Sequence, residues 1–437
     1  MKITQVASFL MSFPFPQPMR IKFWNGERTI LKRDAMLIRI DTDAGLSGFA
    51  PGPAHERADR EIREVIAPFL LGRDPQASAS FNFQGDVAEL EPSTGSRPPA
   101  MELRRQSRLR SDANELTKTY RAVEIALLDL TARAQGVPLS QLAGGRVRDQ
   151  IKLYGSAGMY MPPDGYAAEA AAVKAMGFPA YKMRPALGPD GDLETVEKMR
   201  RATGPGFGLM VDAHSWWRMG DKSYSPTIVA SLAAAMAGQG ITWLEEPLPP
   251  ENHAEYRRLR ALGHVPVATG EHEPDEAGFM DLIDSGAADF VQMDVCCQGG
   301  FAMGARVVEA VRRRGLRFAF HSWGTTLEVL AAAHFGICWP EEVVEWLEYP
   351  CYANNGRAGM YPFPLADEIL AQPLDINNGV LTVPSGPGLG VEIDQRVIER
   401  YPFIPGPWSY FQIDSPFETI AVTGDHSVKW VEPPSGR

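Results

Sequence analysis

The chain has 437 residues, 44% of them hydrophobic, and carries a formal net charge of −11 at pH 7. A chain of this size can bury a large core and is expected to form two or more domains. The negative net charge disfavours nucleic acid as a partner. The short basic runs at 104–110 and 312–314 do not change this expectation, because such runs are typical of solvated surfaces. No apolar run approaches the length of a membrane span, and four cysteines do not make a disulfide framework. We therefore expect a cytoplasmic protein without a membrane partner.

The first part of the chain mixes strand and helix patterns. The N-terminus is predicted to be a strand rather than a signal peptide, and "AMLIRIDTDAGLSGFA" (35–50) predicts a hairpin that turns around Asp43–Gly45. Apolar residues recur at helical spacing over 56–71, and a longer helix is predicted to end at Gly136. Between these helices, residues 74–110 are rich in Ser, Pro and Gly and predict a long loop or an insertion.

From residue 150 onward, short apolar runs alternate with helical patterns. The eight runs span 151–157, 180–184, 208–213, 241–246, 265–271, 289–294, 316–321 and 343–348. Eight strands alternating with helices predict a (β/α) barrel. A doubly wound open sheet is the alternative, but the count of eight and the lack of a GxGxxG motif after the first strand favour the barrel. After about 375 the pattern returns to turns and short strands, which we expect to pack on the N-terminal domain.

Ionisable residues end seven consecutive runs of this series. They are Lys182, Arg184, Asp212, His214, Glu245, Glu271, Asp294, His321 and Glu348. In a barrel, the carboxyl ends of the strands carry the active site. Charges gathered at one mouth would be costly without a function, so the pattern predicts a catalytic site there.

Three of the acids predict a metal site. Asp212, Glu245 and Glu271 end neighbouring strands, and three adjacent carboxylates cannot all ionise without a counter-ion. Oxygen ligands favour a hard cation, so we expect Mg²⁺ as the cofactor. Zinc is disfavoured, because the cysteines nearest to these strand ends lie past Asp294.

The remaining residues predict proton transfer next to a carboxylate. Asp294 beside His321 fixes the tautomer and raises the pKa of the imidazole, which would make His321 a general base. Lys182, near a metal and another cation, is expected to have a lowered pKa and could move a proton. Arg184 is too basic for that and could instead hold a carboxylate or hydroxyls, while Glu348 could face the carboxylate side of the substrate.

Motifs along the chain resemble one family. They are "AVEIALLDLTARAQGVPLSQLAGG" (122–145), "VDAH" (211–214), "WLEEP" (243–247), "TGE" (269–271), "MDVCCQGG" (293–300), "FHSWG" (320–324) and "VPSGPGLGVEID" (383–394). In this order they resemble the mandelate racemase-like group of the enolase superfamily. The resemblance implies a modified TIM barrel, (β/α)7β, under an α+β capping domain, and a homo-oligomer of two to eight subunits.

The same resemblance implies domain boundaries. Residues 1–145 would form the N-terminal capping domain, 146–375 the barrel, and 376–437 a C-terminal segment that packs on the cap. Loops around 14–28 and 50–56 would close over the substrate.

Two departures from the family pattern select among its reactions. The second strand carries Lys-Met-Arg where racemases of the group often have Lys-x-Lys, so Arg184 replaces a base and a two-base racemase is disfavoured. Asp212-x-His214 is similar to galactonate and mannonate dehydratases, in which the histidine acts as acid on the departing hydroxyl.

The resulting hypothesis is a Mg²⁺-dependent hydro-lyase of carbohydrate catabolism that acts on an acid sugar, either an aldonate or an aldarate. α-Proton abstraction would give a metal-stabilised enediolate, and β-elimination of water would give a 2-keto-3-deoxy acid. The alternatives are a racemase, epimerase or cycloisomerase of a carboxylate on the same fold, with Lys182 as second base, and a non-catalytic relative.

Overall fold

The computed structural model describes residues 1–81, 83, 113–219, 222–413, 418–422 and 428–430. Most of the loop predicted over 74–110 lies outside these ranges. Two bodies of structure are visible in the described chain, an antiparallel sheet with helices and a parallel barrel.

The first sheet begins with three strands, β1 (Ile3–Phe23), β2 (Gly26–Thr42) and β3 (Ser47–Pro51). Strand β2 pairs antiparallel with both β1 and β3, and the predicted turn at Asp43–Gly45 joins β2 to β3. Gly45 has a φ of +74°, a conformation that glycine adopts without strain. The predicted hairpin is therefore confirmed.

Helices pack against this sheet. They are α1 (Glu56–Glu61), a π-helical turn (Ile62–Ile66), α2 (Ala67–Leu70), a 3₁₀ turn (Pro75–Ser80), α3 (Ala113–Gln135) and α4 (Leu139–Leu142). Helix α3 lies directly on β3, where a side chain at Gly48 would collide with the carbonyl oxygen of Ala126. The helix stops before Gly136, which has a φ of +68°, as the sequence predicts. Among the described helices, none combines the length and apolar character needed to cross a membrane.

Eight parallel strands form the second body. They are β4 (Gln150–Met159), β5 (Ala180–Arg184), β6 (Gly208–Asp212), β7 (Trp243–Glu245), β8 (Val267–Thr269), β9 (Phe290–Met293), β10 (Arg317–Phe320) and β11 (Val344–Pro350). Each pairs with the next, and β11 pairs with β4, so the sheet closes on itself. The predicted barrel is confirmed, and the open doubly wound sheet is excluded by this closure.

Seven helices connect these strands. They are α5 (Pro163–Ala175), α6 (Pro189–Thr203), α7 (Pro226–Ala237), α8 (His253–Ala261), α9 (Glu276–Asp284), α10 (Gly300–Arg313) and α11 (Thr326–Gly336). Eight strands with seven intervening helices give the (β/α)7β order that the resemblance implied.

An apolar layer fills the barrel and positions the site above it. Its members are Tyr154, Ala180, Met210, Trp243, Ala268, Phe290 and Ala319. Side chains two residues apart on a strand face the same side, so the residues that follow this layer also face the barrel axis. They include Lys182, Asp212, Glu245, His321 and Glu348. The apolar layer fills the barrel beneath these polar groups, so the polar groups face the barrel mouth.

The chain then returns to the first sheet. It passes through α12 (Leu365–Glu368), β12 (Ile376–Asn377), β13 (Val380–Thr382), α13 (Val397–Arg400), β14 (Ser409–Ile413), β15 (Glu418–Val422) and β16 (Val428–Trp430). Strand β13 pairs antiparallel with β4 at the barrel, whereas β14 pairs with the first half of β2. Residues from both chain ends therefore meet in the first sheet, over the barrel mouth.

Candidate active site

A cavity of about 450 Å³ lies between the barrel mouth and the first sheet. Six of the nine predicted site residues line it, namely Arg184, Asp212, His214, Glu271, Asp294 and His321. The other three, Lys182, Glu245 and Glu348, are fully buried and are linked by ion pairs to one another or to the lining residues. The structure thus gathers all nine predicted residues at one place.

Lys182 forms the centre of the buried layer. Its Nζ atom lies 2.7 Å from Glu245 Oε1, 2.9 Å from Glu348 Oε1 and 3.6 Å from Asp212 Oδ2. Burial alone would lower the pKa of Lys182, but the carboxylates of Glu245 and Glu348 outweigh it and raise the pKa well above its usual value. The predicted lowering of this pKa assumed a bound metal ion beside the ammonium, and for the metal-bound site it stays a prediction.

Arg184 is held by protein groups on several sides. Its Nε atom lies 3.3 Å from Asp212 Oδ2, and its Nη2 atom donates to Ser156 Oγ at 3.1 Å and to Glu348 Oε1 at 3.4 Å. The guanidinium also stacks on Trp323, 4.0 Å from the ring centroid. Much of the fork that was predicted to hold substrate is engaged by the protein, and a substrate contact of Arg184 stays a prediction.

The Asp294–His321 pair connects strands β9 and β10. His321 Nδ1 lies 3.1 Å from Asp294 Oδ2, while Asp294 Oδ1 accepts hydrogen bonds from the backbone N–H groups of Cys296 and Cys297 at 2.9 and 2.7 Å. These bonds fix the carboxylate and thereby the ring of His321. Burial lowers the pKa of His321, but the carboxylates of Glu271 and Asp294 raise it well above its usual value.

His214 is tied to the neighbouring acid on β6. Its Nδ1 atom lies 2.7 Å from Asp212 Oδ1. Because Asp212 and His214 are only two residues apart, the aspartate can accept a hydrogen bond from Nδ1 of the histidine ring. The second ring nitrogen, Nε2, takes no part in this bond. The ring lines the cavity and is about one-eighth exposed. An imidazole that is anchored at one nitrogen and borders a cavity can give or take a proton at the other.

The charges at the mouth fit a divalent cation. When all four are ionised, the carboxylates of Asp212, Glu245, Glu271 and Glu348 exceed the two permanent cations, Lys182 and Arg184, by two negative charges. Burial and the neighbouring Asp212 raise the pKa of Glu245 to about 8, as expected for a carboxylate among other carboxylates. The donor set of the three predicted ligands is all oxygen, which suits Mg²⁺.

The most compact ligand groups are not the predicted set. Among the described residues, Glu246, Glu271 and His272 bring their donor atoms within 4.8 Å of one another, and so do Asp294, Cys297 and Glu328. The Lys182 ammonium lies between Asp212 and Glu245. The assignment of Asp212, Glu245 and Glu271 as the metal ligands stays a prediction.

Several residues of the cavity were missed by sequence reasoning. Glu328 Oε1 accepts hydrogen bonds from the backbone N–H groups of Trp323 and Gly324, which hold the segment that follows His321. The spacing Thr325-x-x-Glu328 is the capping-box pattern and could have revealed it. Burial and the Asp294 carboxylate raise the pKa of Glu328 to about 7.

The first sheet contributes other cavity residues than expected. Of the two loops predicted to cover the substrate, residues 51–55 line the cavity, but the 14–28 segment contributes only Arg28. Residues 33–36 of β2 also line it and were not predicted. The alternating pattern of a strand does not show which of its residues line a cavity.

Comparison of the sequence with protein families agrees with the fold and the site. Residues 165–397 match the family described as Enolase C-terminal domain-like, and residues 16–144 match the Mandelate racemase / muconate lactonizing enzyme N-terminal domain. The chain therefore belongs to the enolase superfamily, in its mandelate racemase and muconate lactonizing enzyme group.

The relatives include enzymes of two reaction types. The chain is 29% identical over 407 residues to a D-galactarolactone cycloisomerase of Agrobacterium fabrum, across 92% of this chain and 99% of the relative. It is 25% identical over 382 residues to a D-gluconate dehydratase of Thermoproteus tenax, across 84% of this chain and 69% of the relative. It also resembles the crystal structure of a 3,6-anhydro-D-galactonate cycloisomerase from Zobellia galactanivorans, with a TM-score of 0.73 and 26% identity over 92% of this chain and 99% of that chain.

Proposed function

We propose that this enzyme removes the proton α to the carboxylate of a sugar acid and then expels the β oxygen. In the dehydratase form of this reaction the β hydroxyl leaves as water, and the enol product becomes a 2-keto-3-deoxy acid. The observation that carries the proposal is that two anchored histidines, His321 and His214, line the same cavity beside a cluster of acids.

Each histidine has a defined task in this proposal. His321, oriented by Asp294, accepts the α proton at Nε2, and His214, anchored through Nδ1 to Asp212, donates a proton from Nε2 to the leaving oxygen. A divalent cation held by Asp212, Glu245 and Glu271, when bound, would offset the Glu271 carboxylate beside His321 and the charge that develops on the carboxylate of the substrate.

The environment of Lys182 and Arg184 supports elimination over racemisation. A racemase needs a second base on the opposite face of the substrate. Lys182 is held as an ammonium by Glu245 and Glu348, and Arg184 cannot act as a base at physiological pH. We therefore assign proton exchange to the two anchored histidines, one for each bond of an elimination.

Cycloisomerisation is the second candidate, and the likeness to a cycloisomerase over nearly the whole chain favours it. If the substrate is a lactone whose ring oxygen is attached to the β carbon, that oxygen leaves the β carbon but stays bonded to the lactone carbonyl carbon, which becomes a carboxylate. The same base and acid would then open a ring without releasing water. Dehydration changes the mass of the product by one water, whereas cycloisomerisation does not change it.

The test is a screen of sugar acids and their lactones with Mg²⁺. Products are read as 2-keto acids by semicarbazide, as mass by mass spectrometry, and as α-proton exchange by NMR in deuterated water. We expect His321→Asn to abolish exchange and product formation, and His214→Asn to abolish product formation while exchange continues. Product formation by His214→Asn at the wild-type rate would refute its role as acid. A screen with neither product nor exchange would refute the proposed function.

A further inference from the structure

Arg28 is a buried cation on the sheet side of the cavity. It lies on β2, is 8% exposed, and lines the cavity. Its guanidinium lies 4.5 Å from the ring centroid of Trp408 and 4.5 Å from that of Phe411, both on or next to β14. The two aromatic rings therefore hold the guanidinium in place without neutralising its charge.

The polar neighbours of Arg28 are neutral. Its Nη2 atom donates to Ser409 Oγ at 3.4 Å, and the Tyr160 hydroxyl forms a further hydrogen bond with the guanidinium. The Nε atom is buried and has no hydrogen-bond partner among the described residues. No carboxylate in the described part of the chain forms an ion pair with Arg28.

Two other cations that line the same cavity form ion pairs with acids, and a third is held by tyrosine hydroxyls. Lys118 Nζ lies 2.9 Å from Glu115, and Arg57 Nε lies 2.8 Å from Glu61. Arg33, also on β2, donates to the hydroxyls of Tyr361 and Tyr352 at 2.8 and 3.2 Å, so its two terminal nitrogens are engaged. Arg28 and Arg33 are both buried with an Nε atom that has no hydrogen-bond partner among the described residues. They differ in that the carboxylates of Asp34 and Glu328 help to raise the pKa of Arg33, whereas the groups that mainly shift the pKa of Arg28 include no carboxylate.

The contrast with Arg184 shows the energetic consequence. Burial lowers the pKa of both guanidinium groups, but for Arg184 the carboxylates of Asp212 and Glu348 outweigh burial, whereas for Arg28 the pKa stays below its usual value. Burying a cation without a counter-ion is costly, and proteins accept that cost mainly where a ligand supplies the opposite charge. Arginine is suited to a carboxylate, because its fork can donate two parallel hydrogen bonds.

We propose that Arg28 binds a second carboxylate of the substrate, distal to the one next to the reacting carbon. This rests on the proposed function, which places the reacting carboxylate at the barrel acids. The substrate class is then a sugar diacid, an aldarate, with both carboxylates free. A sugar monoacid, an aldonate, would leave Arg28 without a counter-ion.

The test compares matched diacids and monoacids in one assay. Galactarate and galactonate form one pair, and glucarate and gluconate form the other. Wild type should show a kcat/KM for a diacid that is about 100-fold or more above that of the matching monoacid, as expected for a charged hydrogen-bonded pair.

Arg28→Met should lower kcat/KM for the diacid about 100-fold, mainly through KM, and change it for the monoacid less than about three-fold. Arg28→Lys should keep part of the preference, because it keeps the charge and loses the fork. Arg39→Met is the matched control, since Arg39 is on the same strand, lies against Phe9 and pairs with Asp41 away from the cavity.

The outcomes separate this inference from the proposed function. If monoacids react as well as diacids, or if Arg28→Met lowers both equally while it remains folded, the inference is wrong and the proposed function stands. If no sugar acid yields product or α-proton exchange, the proposed function fails as well. If Arg28→Met does not fold, the ratio of the wild-type kcat/KM values for diacids and monoacids tests the inference by itself.

Discussion

The barrel side and the sheet side of the cavity handle charge in opposite ways. On the barrel side every buried cation touches carboxylates, as Lys182 touches Glu245 and Glu348 at 2.7 and 2.9 Å. On the sheet side, the cations nearest to the cavity roof lie among aromatic rings and hydroxyls, as Arg28 and Arg33 do. The first arrangement fixes the side chains to which we assign proton transfer, and under our proposal the second leaves the positive charge of Arg28 for a ligand.

This difference corresponds to the two roles that we propose, proton transfer at the barrel and substrate recognition at the sheet. Strand ends of a closed barrel are held by neighbours on both sides, which keeps the proton-transfer groups in place. Arg28, for which we propose a role in substrate recognition, lies on the sheet, where both chain ends meet through β2 and β14. A change on the barrel side should therefore affect the chemical step, and a change on the sheet side should affect substrate choice.

The largest effect is expected on the barrel side, at His321. We expect His321→Asn to lower kcat by about 10³-fold or more, because it removes the group that accepts the proton. His264→Asn is the control, since His264 is exposed. Single-turnover measurements with an active substrate would check the prediction. Retention of a tenth of the activity or more would place the base elsewhere.

Lys182 offers the next largest effect. Lys182→Met leaves Glu245 and Glu348 buried without their shared cation, and breaking a buried charge network in this way typically costs about 3–5 kcal/mol. The free energy of unfolding from urea titration would show the loss. Lys198→Met removes a lysine whose two acidic partners are largely exposed, and it should leave the urea midpoint nearly unchanged. Equal midpoints for both variants would contradict the view that Lys182 holds the barrel acids together.

The two sides also differ in how far sequence predicts them. Strand alternation alone places Lys182, Asp212 and Glu245 two residues beyond an apolar layer, and the repeat of strand and helix then puts all the strand ends at one mouth. Arg28 has no such periodic context, because its role depends on β14 arriving from the far end of the chain. The pKa of Lys182 likewise depends on distances across the barrel that alternation does not give.

His334, which does not line the cavity, is expected to affect the stability of the protein but not catalysis. His334 on α11 is buried, its Nε2 atom lies 3.0 Å from the carbonyl oxygen of Leu389, and burial lowers its pKa to about 4. The unfolded chain, with a histidine pKa of about 6.5, binds the proton more readily, so stability is full above pH 6.5 and falls as the pH drops toward 4. We expect a loss of roughly 2–3 kcal/mol over that range.

Urea titrations at a series of pH values would measure this dependence. His334→Gln keeps a hydrogen-bond donor and does not titrate, so its stability should fall less between pH 6.5 and 4 than that of wild type. If both proteins lose stability in parallel, the acid sensitivity arises from other groups, and the carboxylates of the barrel mouth become the first to examine.

The smallest effect is expected where the two sides meet. The ring of Trp323 lies 4.0 Å from the Arg184 guanidinium on the barrel side and 5.2 Å from that of Arg33 on the sheet side. Trp323→Leu removes these cation–π contacts, worth about 1–2 kcal/mol when partly buried, and leaves the backbone carbonyl to which Arg33 donates.

Because Asp212 and Glu348 continue to hold Arg184, kcat should change less than about three-fold, while KM rises about 5- to 20-fold as the two sides lose their shared contact. Trp323→Phe keeps an aromatic face and should recover most of the loss. Steady-state kinetics on one substrate would measure both constants. A fall in kcat comparable to that of His321→Asn would mean that the ring helps to position the reacting atoms, and the division between a chemical side and a recognition side would then not hold at their boundary.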